Sequence, residues 1–389
     1  LLPEGDVGLR APDGPIAEEH SIVALSDGTL FTTYRTNQDW PAHAYSRDGG
    51  RTWTAPEYMT YGPGQRRVKH ARAANFVWRA SNGRYLYWFH NHGGHTYQNQ
   101  RNPAWVLGGR EVDTPEGKVI QWSEPEILFY HDDHRARMSY PDFLEEDGRY
   151  FLTQTEKQIA RIHEVPAEFF EMLWRQHEMR SLVRDSLLVD LSDKPLAPGT
   201  TVARPELPSF QTQKGTRLRP SKRLVEGGGL TFDFWVKFDS LRGGQMLVDS
   251  RDKIGNGFAI YTTDRGTIEI SLRGPLGEQL DDFGLAQASW DCDPGRLETG
   301  KWHHVAIVLD GGPKIIAFII DGVFHDGGLD RQFGWARYPY ELRSVGFGDT
   351  ITFAPRLEGQ MHDFRLYGRA LRTSEVLGNW RATGGDGRK

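Results

Sequence analysis

The sequence predicts an all-β protein built from repeated sheet blades, one helix and an antiparallel β-sandwich. Three observations carry that reading. Aromatic residues make up 12% of the 389 positions and glycine supplies 44 of them, which suits short strands and tight turns better than a helical bundle. A strand–turn–strand unit recurs three times before residue 160. Beyond residue 209 a clean period-two alternation returns without that repeat.

The first unit joins Ser21-Ile22-Val23-Ala24-Leu25 to Thr29-Leu30-Phe31-Thr32-Thr33-Tyr34 through the turn Ser26-Asp27-Gly28. The second joins 74–78 to 85–89 across Ser81-Asn82-Gly83, and the third joins 141–144 to 150–153 across Glu146-Asp147-Gly148. Hairpins about 55 to 65 residues apart mark a repeated blade, with three unrelated sandwich hairpins as the plainer alternative. The period then becomes helical. From Pro166 to about Val183, residues Phe169, Phe170, Leu173, Trp174 and Met172 fall on one stripe. Pro166 suits the first turn, and Glu168 and Glu171 suit the positive helix N-terminus. The Pro-punctuated stretch 194–208 reads as a linker. Strands are then expected at 230–238, 257–261, 267–272, 301–309 and 314–320, in an antiparallel sandwich. The expected domains are 1–163 for the blades, 164–205 for helix and linker, and 206–389 for the sandwich.

Composition excludes several function classes. Lys and Arg number 47 against 52 Asp and Glu, a formal charge of -5, which argues against a whole-protein grip on nucleic acid. No apolar run approaches the roughly 20 residues of a membrane helix. Cys292 is the single cysteine, so an internal disulfide framework and a zinc site of several Cys ligands are both excluded. Leu1-Leu2-Pro3-Glu4-Gly5 shows neither the basic nor the apolar region of a signal peptide. A mature secreted chain, or a piece of a longer one, reads the same way.

One motif is specific. Ser46-Arg47-Asp48-Gly49-Gly50-Arg51-Thr52-Trp53 fits S-x-D-x-G-x-T-W. Its Ser and Asp side chains satisfy turn amides, a glycine takes positive φ, and the Trp is expected to anchor the hairpin in a core. It resembles the Asp-box, or BNR repeat, of sialidase (neuraminidase) β-propellers, where the motif lies on the rim and is structural. The resemblance extends inward in order. Glu19 opens a strand and Arg35 ends the next; Gln100-Arg101-Asn102-Pro103 follows the Asp-box; then comes Met138-Ser139-Tyr140-Pro141-Asp142. It implies Tyr140 as nucleophile, Glu19 as its partner, and Arg35 and Arg101 as grips on a substrate carboxylate; His92 is not an obvious sialidase feature and is expected beside the substrate as a loop histidine that meets sugar hydroxyls.

The chemistry fits those residue types. A carboxylate at the anomeric carbon repels a carboxylate nucleophile, so a neutral Tyr takes that role. Tyr ionises near 10 and needs a base at hand. Arginine keeps its charge and offers a planar fork to a carboxylate. Read without the resemblance, Arg101 is also a surface arginine and Tyr140 a core tyrosine. Glu18 also competes with Glu19, since neighbours on a strand face opposite ways.

The resemblance also implies an earlier segment carrying a first triad arginine and an acid/base Asp, and none precedes Glu19. The expectation is therefore the second half of a six-bladed propeller, completed by a missing N-terminal segment or a second chain. His90, His92 and His95 invite a metal, but substrate or solvent contacts are the weightier reading. Residues 206–382 resemble a laminin-G or concanavalin-like jelly roll through Leu230 to Phe238, Trp302-His303-His304-Val305, Asp321-Gly322 and the 359–367 strand. Such domains bind glycans and sometimes Ca²⁺, for which Asp291 and Asp293 are the candidates against plain solvated turn acids. No other cofactor is expected. The function implied is a retaining exo-glycosidase on a terminal acidic sugar such as sialic acid, secreted or periplasmic. The alternatives are a lyase on a uronate polysaccharide, in which Tyr or His moves the C5 proton, and a non-catalytic carbohydrate-binding protein.

Overall fold

The computed structural model describes residues 8–94, 101–131, 133–156, 158–192, 195–210, 228–275, 285–385 and 387. They divide into two compact units: residues 8–178 with Arg331–Phe333, and residues 179–210, 228–330 and 334–387.

The first unit contains three antiparallel sheets. β1 (Glu18–Ala24), β2 (Leu30–Arg35), β3 (Ala42–Ser46) and β4 (Glu57–Tyr58) pair in chain order. β5 (Phe76–Arg79), β6 (Tyr85–Phe89), β7 (Ala104–Thr114) and β8 (Gly117–Trp122) do the same, and β9 (Glu126–Phe129) also pairs with β7. β10 (Phe143–Glu146), β11 (Arg149–Glu156) and β12 (Ile159–Val165) form the third. Each sheet contains one of the expected hairpins, and the turn residues Gly28, Gly83 and Gly148 all take positive φ, which glycine adopts without a Cβ clash.

α1 (Ala167–Trp174) follows β12 directly. Phe169, Phe170, Leu173 and Trp174 are buried, as the stripe predicts, whereas Met172 is off the buried face. Phe170 stacks on Trp174 at 5.4 Å, and both meet Tyr150 edge-on. The Trp174 indole N–H donates to the Tyr85 carbonyl at 2.7 Å. Gly108 of β7 permits this approach, since a Cβ there would lie 2.9 Å from the Leu173 carbonyl oxygen. The helix is shorter than its sequence pattern. Beyond Trp174, the Gln176 side chain is buried and brackets Glu124, accepting from its N–H at 2.6 Å and donating to its carbonyl at 3.2 Å. That tertiary pair outweighs local propensity.

The second unit is a sandwich of two antiparallel sheets. One runs Leu187–Leu191, Gly359–Tyr367, Gly229–Phe238, Trp302–Asp310, Ile315–Ile320 and Val323–Phe324, with Ala336–Arg337 also on Ile315–Ile320. The other runs Thr200–Ala203, Thr350–Phe353, Met246–Asp249, Gly257–Thr262, Ile268–Pro275 and Leu285–Asp291. Inward residues such as Phe232, Phe234, Ile270, Ile307, Phe318 and Phe364 make one core. α2 (Thr373–Ala382) is a second helix that the sequence pattern did not signal. The stretch expected as linker also contributes a strand. Thr200–Ala203 occupies a sheet edge, and Pro195, Pro198, Pro205 and Pro208 flank it instead of interrupting it, as an edge strand allows.

Candidate active site

Four of the five residues singled out by sequence converge in the first unit. β1 and β2 pair Glu18 with Arg35 and Ser21 with Thr33, so the register slips between Glu18 and Ser21. Glu19 takes the left-handed region there, with φ 51°. On a regular strand adjacent side chains diverge; the slip removes that alternation, and both glutamates reach the same arginine. Arg35 donates to Glu18 Oε2 through Nε at 3.0 Å and Nη2 at 2.5 Å. Its Nη1 lies 2.7 Å from Glu19 Oε2, a charge contact not aligned as a hydrogen bond. Arg72 Nη2 also donates to both Glu18 carboxylate oxygens, each at 3.4 Å. The Arg35 hydrogen bond is the main reason the Glu18 carboxyl sits below the usual carboxylate range.

Tyr140 meets this pair from the third sheet. Ser139 and Thr155 exchange backbone hydrogen bonds at 3.2 and 2.9 Å. The next residue, Tyr140, again takes a left-handed φ, 48°. Its hydroxyl donates to Glu19 Oε1 at 2.8 Å. The side chain is half exposed, and the ring meets Phe76 edge-on with centroids 6.1 Å apart. That hydrogen bond, then burial and the Glu19 charge, raise the phenol above its ordinary value, while the Arg101 and Arg35 charges oppose the rise. Two residues in a sparsely populated backbone region thus meet in one hydrogen bond, the kind of strain that clusters at functional sites.

Arg101 is held by its neighbour. The Asn102 side chain donates to the carbonyls of His131 at 2.6 Å and Asp133 at 3.0 Å, and accepts from the His131 N–H at 3.1 Å. Met138 N–H donates to the Arg101 carbonyl at 3.3 Å. Arg101 Nη1 donates to Ser139 Oγ at 2.7 Å, while its Nε is buried without a hydrogen-bond partner. Burial lowers the guanidinium from its ordinary value, and the fields of Tyr140, Arg35 and Glu19 all act on it. An arginine with a donor left over, beside a Tyr–Glu pair, can take a carboxylate next to a nucleophile.

His92 is held by other groups. It is buried, with Nδ1 2.7 Å from the Gly93 carbonyl and the ring stacked on Phe333 at 4.7 Å, within the same unit. His90 is likewise buried, and His95 lies outside the described residues. Among the described residues no three His, Cys, Asp or Glu side chains are grouped to hold a metal ion. Asp291 Oδ2 accepts from Thr267 Oγ1 at 2.7 Å and Asp293 Oδ2 from the Gly327 N–H at 3.0 Å. One oxygen of each carboxylate singled out for Ca²⁺ thus already accepts from a protein donor.

Arg72 is the site residue that sequence reasoning missed. It lies 54 positions from the glutamate it approaches, outside any strand, and no local pattern marks it. Glu18 was legible only as a rival to Glu19, because strand alternation offered one or the other.

Residues 211–377 match the family model described as the concanavalin A-like lectin/glucanases superfamily. No curated protein matches the chain. Among solved structures, the chain is similar to Trypanosoma rangeli sialidase in complex with 2,3-difluorosialic acid, at 12% identity and a TM-score of 0.30, over 94% of this chain and 62% of that one. It is similar to the CBM40 of Ruminococcus gnavus IT-sialidase bound to alpha2,3 sialyllactose, at 14% and 0.31, over 49% and 96%. It is also similar to the binding domain of Botulinum neurotoxin DC with rat synaptotagmin II, at 16% and 0.32, over 52% of each chain. The chain thus spans less than two thirds of the trypanosomal enzyme.

Proposed function

We propose that the protein is a retaining glycoside hydrolase acting on a terminal sugar that carries a carboxylate, sialic acid being the leading candidate. The observation that supports this reading most is the Tyr140–Glu19 hydrogen bond of 2.8 Å, set between Arg35 and Arg101. Arg101, with the Arg35 charge beside it, receives the substrate carboxylate. Tyr140 Oη attacks the anomeric carbon as its proton passes to Glu19. The glycosidic C–O bond breaks, and a general acid gives the departing oxygen a proton. Water then adds to the anomeric carbon on the face the aglycone left, giving one proton to the deprotonated general acid; the C–O bond to Tyr140 breaks, and Glu19 returns its proton to the phenolate.

Among the described residues, Glu19 is the acid hydrogen-bonded to Tyr140, and it is assigned here as the base. On this reading the general acid comes from the blades that complete the propeller, carried by a preceding segment or a second chain. The jelly roll serves as a glycan-binding appendage, and a secreted or periplasmic location goes with such a substrate. Domain limits of 1–163, 164–205 and 206–389 belong to the same reading.

The test is hydrolysis of an aryl α-sialoside by the purified protein with whatever chain co-purifies, following the anomeric configuration by NMR. Release of the α-anomer first, and none by Tyr140→Phe, is the expected result. Release of the β-anomer first, or a Tyr140→Phe variant of normal rate, overturns the mechanism. An unsaturated product absorbing in the near ultraviolet from a uronate polysaccharide would instead establish the lyase.

A further inference from the structure

We propose that a cleft beside the 46–53 turn is a second sugar site, separate from Tyr140, that takes a saccharide bearing a carboxylate. The cleft measures about 420 Å³ and is lined by Leu9, Arg10, Arg51, Trp53, Ala55 and Pro56 among others. That volume falls within the range of small-molecule sites. Sequence alone assigns Trp53 to anchoring the hairpin in a core. The structure keeps it half exposed on the cleft wall, and among the described residues its ring packs on no other ring and its indole N–H meets no acceptor.

The turn itself explains why Arg51 is available. Asp48 is the nearest carboxylate in sequence, and its two oxygens are consumed locally. They accept from Ser46 Oγ at 2.9 Å, Arg51 N–H at 3.0 Å, Thr52 N–H at 2.9 Å and Thr52 Oγ1 at 2.7 Å. The exposed Arg51 guanidinium therefore makes no ion pair or side-chain hydrogen bond among the described residues. Arg10 adds a second positive charge to the same walls. A flat indole with a free N–H suits the C–H face and hydroxyls of a pyranose. An unpaired planar fork beside it suits a carboxylate better than a neutral hydroxyl. The two together specify an acidic sugar.

The experiment is calorimetric titration of the full protein with alpha2,3-sialyllactose, with a glucuronate disaccharide and with lactose. One acidic sugar is expected to show a binding component that Arg51→Ala and Trp53→Ala each weaken by about tenfold or more. Tyr140→Phe and Arg101→Ala leave that component in place, so the cleft and the proposed catalytic site fail or survive independently. Lactose is expected to bind about tenfold more weakly or worse. Arg51→Glu, at an exposed position, gives a fold-neutral check should Trp53→Ala disturb the turn. Binding indifferent to Arg51 and Trp53, binding of lactose equal to that of the acids, or no binding of either acid would each overturn the proposal.

Discussion

At the residue scale, the site turns on two backbone positions with φ near 50°, Glu19 and Tyr140. Neither is a glycine, so the surrounding pairing must hold both in place. Glu19→Gln is expected to lower turnover by about 10²- to 10⁴-fold, as loss of a positioned base does. It has a second, activity-independent consequence. The Glu19 hydrogen bond is the main cause of the raised Tyr140 phenol, so its loss should bring the Tyr140 ionisation down. Ultraviolet titration of Glu19→Gln, with Tyr140→Phe as the blank, reads that shift; an unchanged or higher midpoint would contradict the pairing. What the sequence conveyed at this scale was the order of Glu19, Arg35, Arg101 and Tyr140. It did not convey the register slip that turns Glu18 and Glu19 to one arginine. That slip depends on Ser21 pairing with Thr33, a tertiary fact with no local mark.

At the element scale, α1 closes the core of the first unit. Trp174 is buried, stacks on Phe170 and caps Tyr85 with its N–H. Trp174→Ala is expected to cost about 3–5 kcal/mol, measured by urea unfolding monitored on the first unit. Gly108→Ala is a sharper probe of the same contact, because its Cβ meets backbone, not a flexible side-chain end. Destabilisation by more than about 1 kcal/mol is expected, and a neutral result would show that α1 does not rest on β7. The three hairpins and the start of this helix were legible because both depend on local pattern. Its end was not, because Gln176 is bound by Glu124, 52 residues away. The edge strand Thr200–Ala203 was missed because its prolines resemble those of a linker.

At the scale of the whole molecule, the first unit buries histidines in their neutral form. His70 is pushed down to about 3, chiefly by burial, and His90 lies well below its ordinary value for the same reason. Both His70 nitrogens are engaged: Nε2 donates to the Ala73 carbonyl at 2.7 Å and Nδ1 accepts from the His90 N–H at 3.1 Å. Such groups bind protons more readily unfolded, so stability declines as pH falls from about 6.5 and stops declining once the folded value is passed. The melting temperature of this unit is expected to drop between pH 6.5 and 4, and less steeply in His70→Gln. The most direct measurement addresses the role proposed for Tyr140. A 3-fluoro glycosyl fluoride of sialic acid should arrest turnover at the covalent stage, and peptide mapping should find the sugar on Tyr140 in the intact protein and nowhere in Tyr140→Phe. A label on another residue, or hydrolysis of the sialoside with Tyr140 never labelled, would contradict the account.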